Sequence, residues 1–450
     1  MNIKTSTPLN ILNKIRTYLQ ENNTHIANHL IVVIAFFLPI SESARSSGIF
    51  ILLVLLLFKT DLTARFQESI QNRVIQAFLL YWLMNFVWVL FSTDPELSLH
   101  YAKLLDYFYY PLLLMLYLDK AYIYRIFSAF ILGMLLSELL SYSLAFGIIK
   151  HVPYGIVTQS IHDPSPFLYH MGYGFILTFT VGLLLQRIIQ FKDLKHKLIY
   201  GLFFLTASAN VFVNAGRTGY ILYSVSIFVL LILTYKKHFF KILPATLLFL
   251  ALVYTLAYNF SPVFQKRMGL LVTSSTKAVK DDNLNSSLGA RVAMGRVAIE
   301  TIKDRPLLGF GPGTAVDAVS AKARELDTPI KWLKNIPYPN IDDQYLEALV
   351  QFGFIGFFIF LNMFYQIFRY KQPDRKLKII QLLVLFLALA YSVQVTTFQH
   401  GGYIPKFFVF IVTFTMVIRH NIDSLKPLNY KQFTLYALAG IALFIISKVT

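Results

Sequence analysis

Three arginines in this sequence stand where a guanidinium can meet a phosphate. Arg217 lies in Asn214-Ala-Gly-Arg-Thr-Gly-Tyr220, at the junction of two apolar runs. A guanidinium fixed at such a boundary presents a planar fork of donors that fits two phosphate oxygens at once. Arg291 and Arg296 fall in the stretch 288–303, which reads as a helix with Val292, Ile299 and Ile302 on one side. Five residues apart, they need not share a face.

Groups able to move a proton are scattered more widely. Asp342 and Asp343 are adjacent, just ahead of an apolar run; His400 follows Gln399; His170 follows the pair His162-Asp163. Asp106 sits near the end of another run, and Glu138 near the middle of one. Each has a plainer reading. An Asp or His at a helix end is often a cap or an interfacial residue, and carboxylates at a helix N-terminus suit its dipole. An Asp pair can also hold a divalent cation through oxygen, but no third ligand is evident. The run Pro306-Leu-Leu-Gly-Phe-Gly-Pro-Gly313 cannot continue a helix. Its glycines permit tight turns or close backbone approach to a ligand. No Gly-Lys-Ser/Thr follows, so it is not a nucleotide-binding P-loop.

What positions these groups follows from composition. Of 450 residues, 56% are hydrophobic and 14% charged, where a soluble chain carries about 25% charged. Apolar runs near the bilayer's thickness recur, at about 29–40, 47–58, 74–91, 104–118, 122–149, 167–186, 198–213, 217–234, 239–257, 346–369, 376–396 and 403–418. The expectation is an all-α, polytopic membrane protein of about 12 transmembrane helices, or 13 if 432–447 also crosses. The first run precedes no small-residue cleavage site and reads as a retained helix. There are no cysteines, which excludes disulfides, thiolate metal sites and thiol nucleophiles. The net charge of +18 reads as lysine and arginine facing anionic lipid rather than a nucleic-acid surface.

Alternate short connections are basic. Lys59, Arg65 and Arg73 mark one, Arg187, Lys192, Lys195 and Lys197 another, and Arg369, Lys371, Arg375, Lys376 and Lys378 a third. This asymmetry places the N-terminus in the cytoplasm. Residues 258–345 then form one large external loop, since long loops translocate largely regardless of charge. The expected organisation is a bundle over 1–257, with a basic amphipathic stretch at Ile11–Leu19 on the membrane surface. The partly helical loop 258–345 follows, then further membrane helices over 346–450. Asp106, His170, Arg217, Asp342, Asp343 and His400 all fall at the external face.

The loop text is similar to a known pattern. An arginine-bearing helix, then Pro306-Leu-Leu-Gly-Phe-Gly-Pro-Gly313, then Asn340-Ile-Asp-Asp-Gln-Tyr-Leu346 leading to Phe352-Gly-Phe-Ile-Gly356, resembles the O-antigen ligase and polymerase superfamily over roughly 205–365, and is closer to the ligases. The resemblance implies a glycosyltransferase of the bacterial inner membrane with its active face periplasmic. It implies transfer of glycan from undecaprenyl diphosphate to lipid A–core, with no cofactor, no metal and no nucleotide sugar. Arg217 matches the family's arginine at a span boundary and Arg291 its loop arginine, with Arg296 beside it as a further diphosphate ligand. Asp342 and Asp343 fall where the family has His-Asn before x-Tyr-Leu. Asp342, Asp343 and His400 are therefore the catalytic candidates: Asp342 keeps the base's role, or His400 or His170 replaces it, or the position orients the acceptor. A polymerase extending lipid-linked repeat units is the rival within the superfamily. A transporter of lipid-linked sugars is the rival outside it, though transporters often carry internal repeats and none is evident here.

Overall fold

The computed structural model describes residues 8–153, 155–156, 159–280, 287–328, 330–337, 339–399 and 402–418. Among the described residues the regular elements are all helices. In chain order the helices are α1 (Pro8–Glu21), α2 (Asn23–Phe37), α3 (Glu42–Leu55), α4 (Leu62–Ile70), α5 (Arg73–Trp88), α6 (Pro95–Leu104), α7 (Tyr110–Met115), α8 (Ile123–Ala145) and α9 (His170–Gln190). They continue with α10 (Leu194–Val213), α11 (Arg217–Thr234), α12 (Phe239–Phe260), α13 (Pro262–Lys280), α14 (Ser287–Asp304), α15 (Ala315–Glu325), α16 (Gln344–Arg369), α17 (Arg375–Ser392) and α18 (Tyr403–Met416).

Seven stretches among the described residues are long and apolar enough to cross a membrane: Arg73–Phe91, Lys120–Ala145, His170–Gln190, Leu194–Val213, Arg217–Thr234, Lys236–Phe260 and Gln344–Arg369. α2 and α18 are apolar but shorter. The run at 104–118 is not one helix. α6 ends at Leu104, a 3-10 turn covers Asp106–Tyr109, and α7 is six residues long with a proline in its first turn. Pro111 cannot donate an amide to a preceding turn, so an apolar run long enough to span is divided. The amphipathic stretch at Ile11–Leu19 lies inside α1. The run at 432–447 lies outside the described residues.

α9 is the axis of the bundle: most of it is buried, and it packs against α10 and α11 above all. Small residues allow the closest approach, as at many membrane-helix crossings. A Cβ on Gly174 would stand 3.3 Å from the Cα of Gly219. That crossing lies four residues into α9 and two into α11, so His170 and Arg217 start neighbouring helices at the same end of the bundle. α13, α14 and α15 cover that end, with α14 and α15 packed on α16.

The glycine-rich run does not wait for a ligand. α16 is broken at Gly353, with φ +60° and ψ −168°, and residues 306–311 lie against the break. Phe310 N–H donates to Val350 O (2.9 Å) and Gly311 N–H to Gln351 O (2.8 Å). In return Phe354 N–H donates to Pro306 O (2.8 Å) and Ile355 N–H to Leu307 O (3.2 Å). The indole of Trp88 on α5 donates to Leu308 O at 2.8 Å and contacts Phe352 O at 3.2 Å. Backbone groups freed by a helix break must find partners in a site closed to water, and here the loop supplies them. A Cβ on Gly309 would come within 2.5 Å of Gln351's backbone, and one on Gly353 within 2.3 Å of Leu307's. The close approach expected of these glycines is therefore to a helix of the same chain.

Candidate functional site

The site lies where α9, α11, α13 and α14 meet the lead-in to α16. α11 begins at Arg217, directly after Asn214-Ala-Gly216. Asn214 shapes that turn: its Oδ1 accepts from Gly216 N–H (3.3 Å), and its main-chain carbonyl accepts from the Tyr220 hydroxyl (2.8 Å). Gly216 is held against α9, where a Cβ would stand 3.0 Å from His170 O.

Two further guanidiniums face Arg217: the charges of Arg291 on α14 and of Arg267 on α13 both act on it. Three like charges gathered at one place repel one another at a cost that grows as water is excluded. An anion relieves that repulsion. Asp342 supplies one negative group, its Oδ2 lying 3.2 Å from Arg291 Nη2.

Asp342 and Asp343 are adjacent yet do different work. Asp343 is the N-cap of α16: its Oδ1 accepts from the amides of Tyr345 and Leu346, both at 2.9 Å. Asp342 stands outside the helix with φ +57°, a conformation that costs an ordinary residue about 1–2 kcal/mol. Asn340 holds it there by accepting its amide at 3.2 Å. The turn aims one carboxylate at the helix start and the other at Arg291, so the two do not converge on one cation. Burial raises both carboxyls above the ordinary carboxylate range; Arg291 draws Asp342 back down, while the nearby Glu347 carboxylate pushes it up.

Glu347 is buried one turn into α16. It accepts from Ile341 N–H (3.1 Å), the Thr396 hydroxyl (2.6 Å) and Gln351 Nε2 (3.1 Å). Gln344 Oε1 accepts the amides of Thr397 (2.7 Å) and Phe398 (2.5 Å), so the 393–399 connection is tied to the start of α16. Gln399 in that connection accepts from the Tyr81 hydroxyl at 3.0 Å. His400 lies outside the described residues.

On the other flank, His170 Nδ1 is 2.9 Å from Asp163 Oδ2. Asp163 Oδ1 accepts from the Ser165 hydroxyl (2.9 Å), and Ser165 Oγ accepts from Asn214 Nδ2 (2.9 Å). Burial would raise the Asp163 carboxyl, but the His170 hydrogen bond and charge, with Arg267 beyond, hold it below its usual range.

The remaining candidates lie elsewhere. Arg296 is exposed on α14, about 140° around the helix from Arg291 by helical geometry. His162 is exposed. Asp106 belongs to a separate cluster with Lys406, Arg45 and Glu42, in which the buried Arg45 pairs with Glu42 at 2.6 Å. Glu138 is buried inside the bundle on α8. Sequence reasoning missed Arg267 and Glu347. Gln265-Lys-Arg267 reads as ordinary basic loop text, and its one signal is that it follows Pro262, which starts a helix.

Residues 202–361 match a family described as O-antigen ligase, nearly the stretch over which the sequence resembles that superfamily, and the match supports the superfamily. An uncharacterized protein of Haemophilus influenzae is 28% identical over 200 residues, which cover 43% of this chain and 49% of that protein. The chain thus matches about half the length of this curated relative.

Proposed function

We propose that this chain transfers a glycan from undecaprenyl diphosphate to lipid A–core at the periplasmic face of the bacterial inner membrane. The observation that carries the reading is the convergence of Arg217, Arg267 and Arg291 at one end of a membrane bundle, within the region that matches the O-antigen ligases. A diphosphate is already a good leaving group and needs charge neutralisation more than protonation. Fixed guanidiniums supply that where negative charge builds up. The acceptor oxygen bonds to the anomeric carbon while the carbon–oxygen bond to the diphosphate breaks. One displacement of this kind inverts the configuration, with no metal and no nucleotide sugar. Asp342, paired with Arg291, keeps that guanidinium aimed and offsets the arginines' mutual repulsion while the site is empty. Asp343 serves the helix rather than the reaction.

The test is lipopolysaccharide banding from a deletion strain complemented with wild type or Arg217→Ala. Core without polymer, with carrier-linked polymer accumulating, and no rescue by Arg217→Ala, supports the ligase. Core bearing a single repeat unit identifies the polymerase instead. An unchanged ladder overturns both.

A further inference from the structure

We propose that His170 is the general base that takes the acceptor hydroxyl's proton, with Asp163 as its positioning residue; this rests on the glycosyl-transfer reading above. The position that bears His in the resembling family is Asp342 here, and Asp342 is committed to Arg291. Burial raises that carboxyl, but its Oδ2 is turned onto a guanidinium 3.2 Å away rather than toward an acceptor. Against the turn that precedes Arg217 stands an imidazole with a carboxylate at its back.

The geometry sets the imidazole's tautomer. Asp163 can only accept, so His170 Nδ1 donates to it across 2.9 Å, which leaves Nε2 as the acceptor nitrogen. Asp163 is itself fixed by Ser165, Ser165 by Asn214, and Asn214 by the amide of Gly216. This chain of bonds ends on the amide of the residue immediately before Arg217. The ring edge lies against that same residue: a Cβ on Gly216 would stand 3.5 Å from His170 Cδ2. The imidazole and the Arg217 guanidinium are thus held by one turn. The His170 side chain keeps 34% exposure, so the ring is not sealed inside the bundle.

The step balances. The acceptor O–H gives its proton to Nε2. Its oxygen forms the new bond to the anomeric carbon, and the electron pair of the departing bond stays on the diphosphate. The imidazolium that results stays bonded to the Asp163 carboxylate, with the Arg267 charge beyond it. A positioned base of this kind typically contributes 10²–10⁴-fold.

The experiment uses the full chain in nanodiscs, a purified undecaprenyl diphosphate-linked oligosaccharide as donor and lipid A–core as acceptor, with kcat followed from acid to alkaline pH. We expect His170→Gln to lower kcat by roughly 10²-fold or more, to leave KM within a few-fold, and to abolish the acid limb of the profile. We expect Asp163→Asn to keep the limb but lower kcat about tenfold, and imidazole in the buffer to restore part of the rate of His170→Ala. A His170→Gln protein that melts like wild type and keeps its rate and profile, while Arg217→Ala is inactive, overturns the dyad alone. Wild type without transfer, or full activity in Arg217→Ala, overturns the glycosyl-transfer reading and this inference with it.

Discussion

Replacing Gly353 by alanine tests whether the broken helix and the glycine run are one unit. At φ +60° and ψ −168°, a region kept almost entirely to glycine, alanine carries backbone strain of at least about 1–2 kcal/mol. Its Cβ would also fall 2.3 Å from the carbonyl carbon of Leu307 and 2.4 Å from its oxygen. Backbone cannot rotate away as a flexible side chain can, so residues 306–308 must withdraw. The bonds that flank the contact are Phe354 N–H to Pro306 O and Ile355 N–H to Leu307 O. Each is worth about 1 kcal/mol net. The sum is a loss of about 3–4 kcal/mol, read as a fall of roughly 5 °C or more in the melting temperature of detergent-solubilised protein. Since α14 and the turn that leads into α16 carry the two ends of the Arg291–Asp342 pair, transfer should fall with it. Gly201→Ala is the control: its Cβ meets nothing within 4 Å, and alanine favours a helix interior by about 1 kcal/mol. If Gly353→Ala melted with Gly201→Ala and kept full activity, the contact between loop and helix would not be what holds this region together.

Arg267→Ala should lower transfer by roughly 10²-fold, the effect of removing one fixed donor from developing negative charge, with Arg267→Lys between; activity equal to wild type would remove Arg267 from the site. Asp343→Ala should cost about 1 kcal/mol of stability through loss of the α16 cap, while Asp343→Asn, which can still cap, melts near wild type; a large kcat loss in Asp343→Asn with normal melting would make Asp343 catalytic instead. Because the folded-state carboxyl of Asp342 sits above its usual 3.8, its protonated form favours the fold. That contribution is complete at pH below about 3.8 and fades as pH rises through the folded value. Asp342→Asn should therefore flatten the dependence of melting temperature on pH in the acid range, and an unchanged slope would refute the shift. Asp163, held below 3.8, has the opposite sign: its contribution is present above that pH and is lost in stronger acid, so Asp163→Asn should lower melting at neutral pH and not in strong acid.

The long spans were legible because twenty apolar residues have few other fates. The starts of α11 at Arg217 and α16 after Asp343 were legible through their flanking polar residues. The run at 104–118 misled because hydropathy averages over Pro111 and does not register a change from 3-10 to α geometry. Arg217 and Arg291 stood out by motif, whereas Arg267 looked like loop charge until α13 brought it beside them. Asp342 and Asp343 could not be told apart by type. Only the backbone angles at 342 show that one caps and the other reaches across. Glycines announce a need for unusual backbone geometry without naming the partner, and here the partner was a helix some 40 residues later.

The break at Gly353 also bears on biogenesis. It leaves nine residues on one side, Gln344–Phe352, and sixteen on the other, Phe354–Arg369, about 13 and 24 Å of helix. Neither piece alone crosses a hydrocarbon layer of about 30 Å, and in lipid the severed ladder would expose bare amides and carbonyls. The segment that covers them, Pro306–Gly311, leaves the ribosome first, as does Trp88, which bridges the two at Leu308 and Phe352. Synthesis order thus delivers the patch ahead of the gap. A circular permutant opened between residues 325 and 340, so that α16 is made before its cover, would have to hold an incomplete span in the bilayer until the rest of the chain arrived.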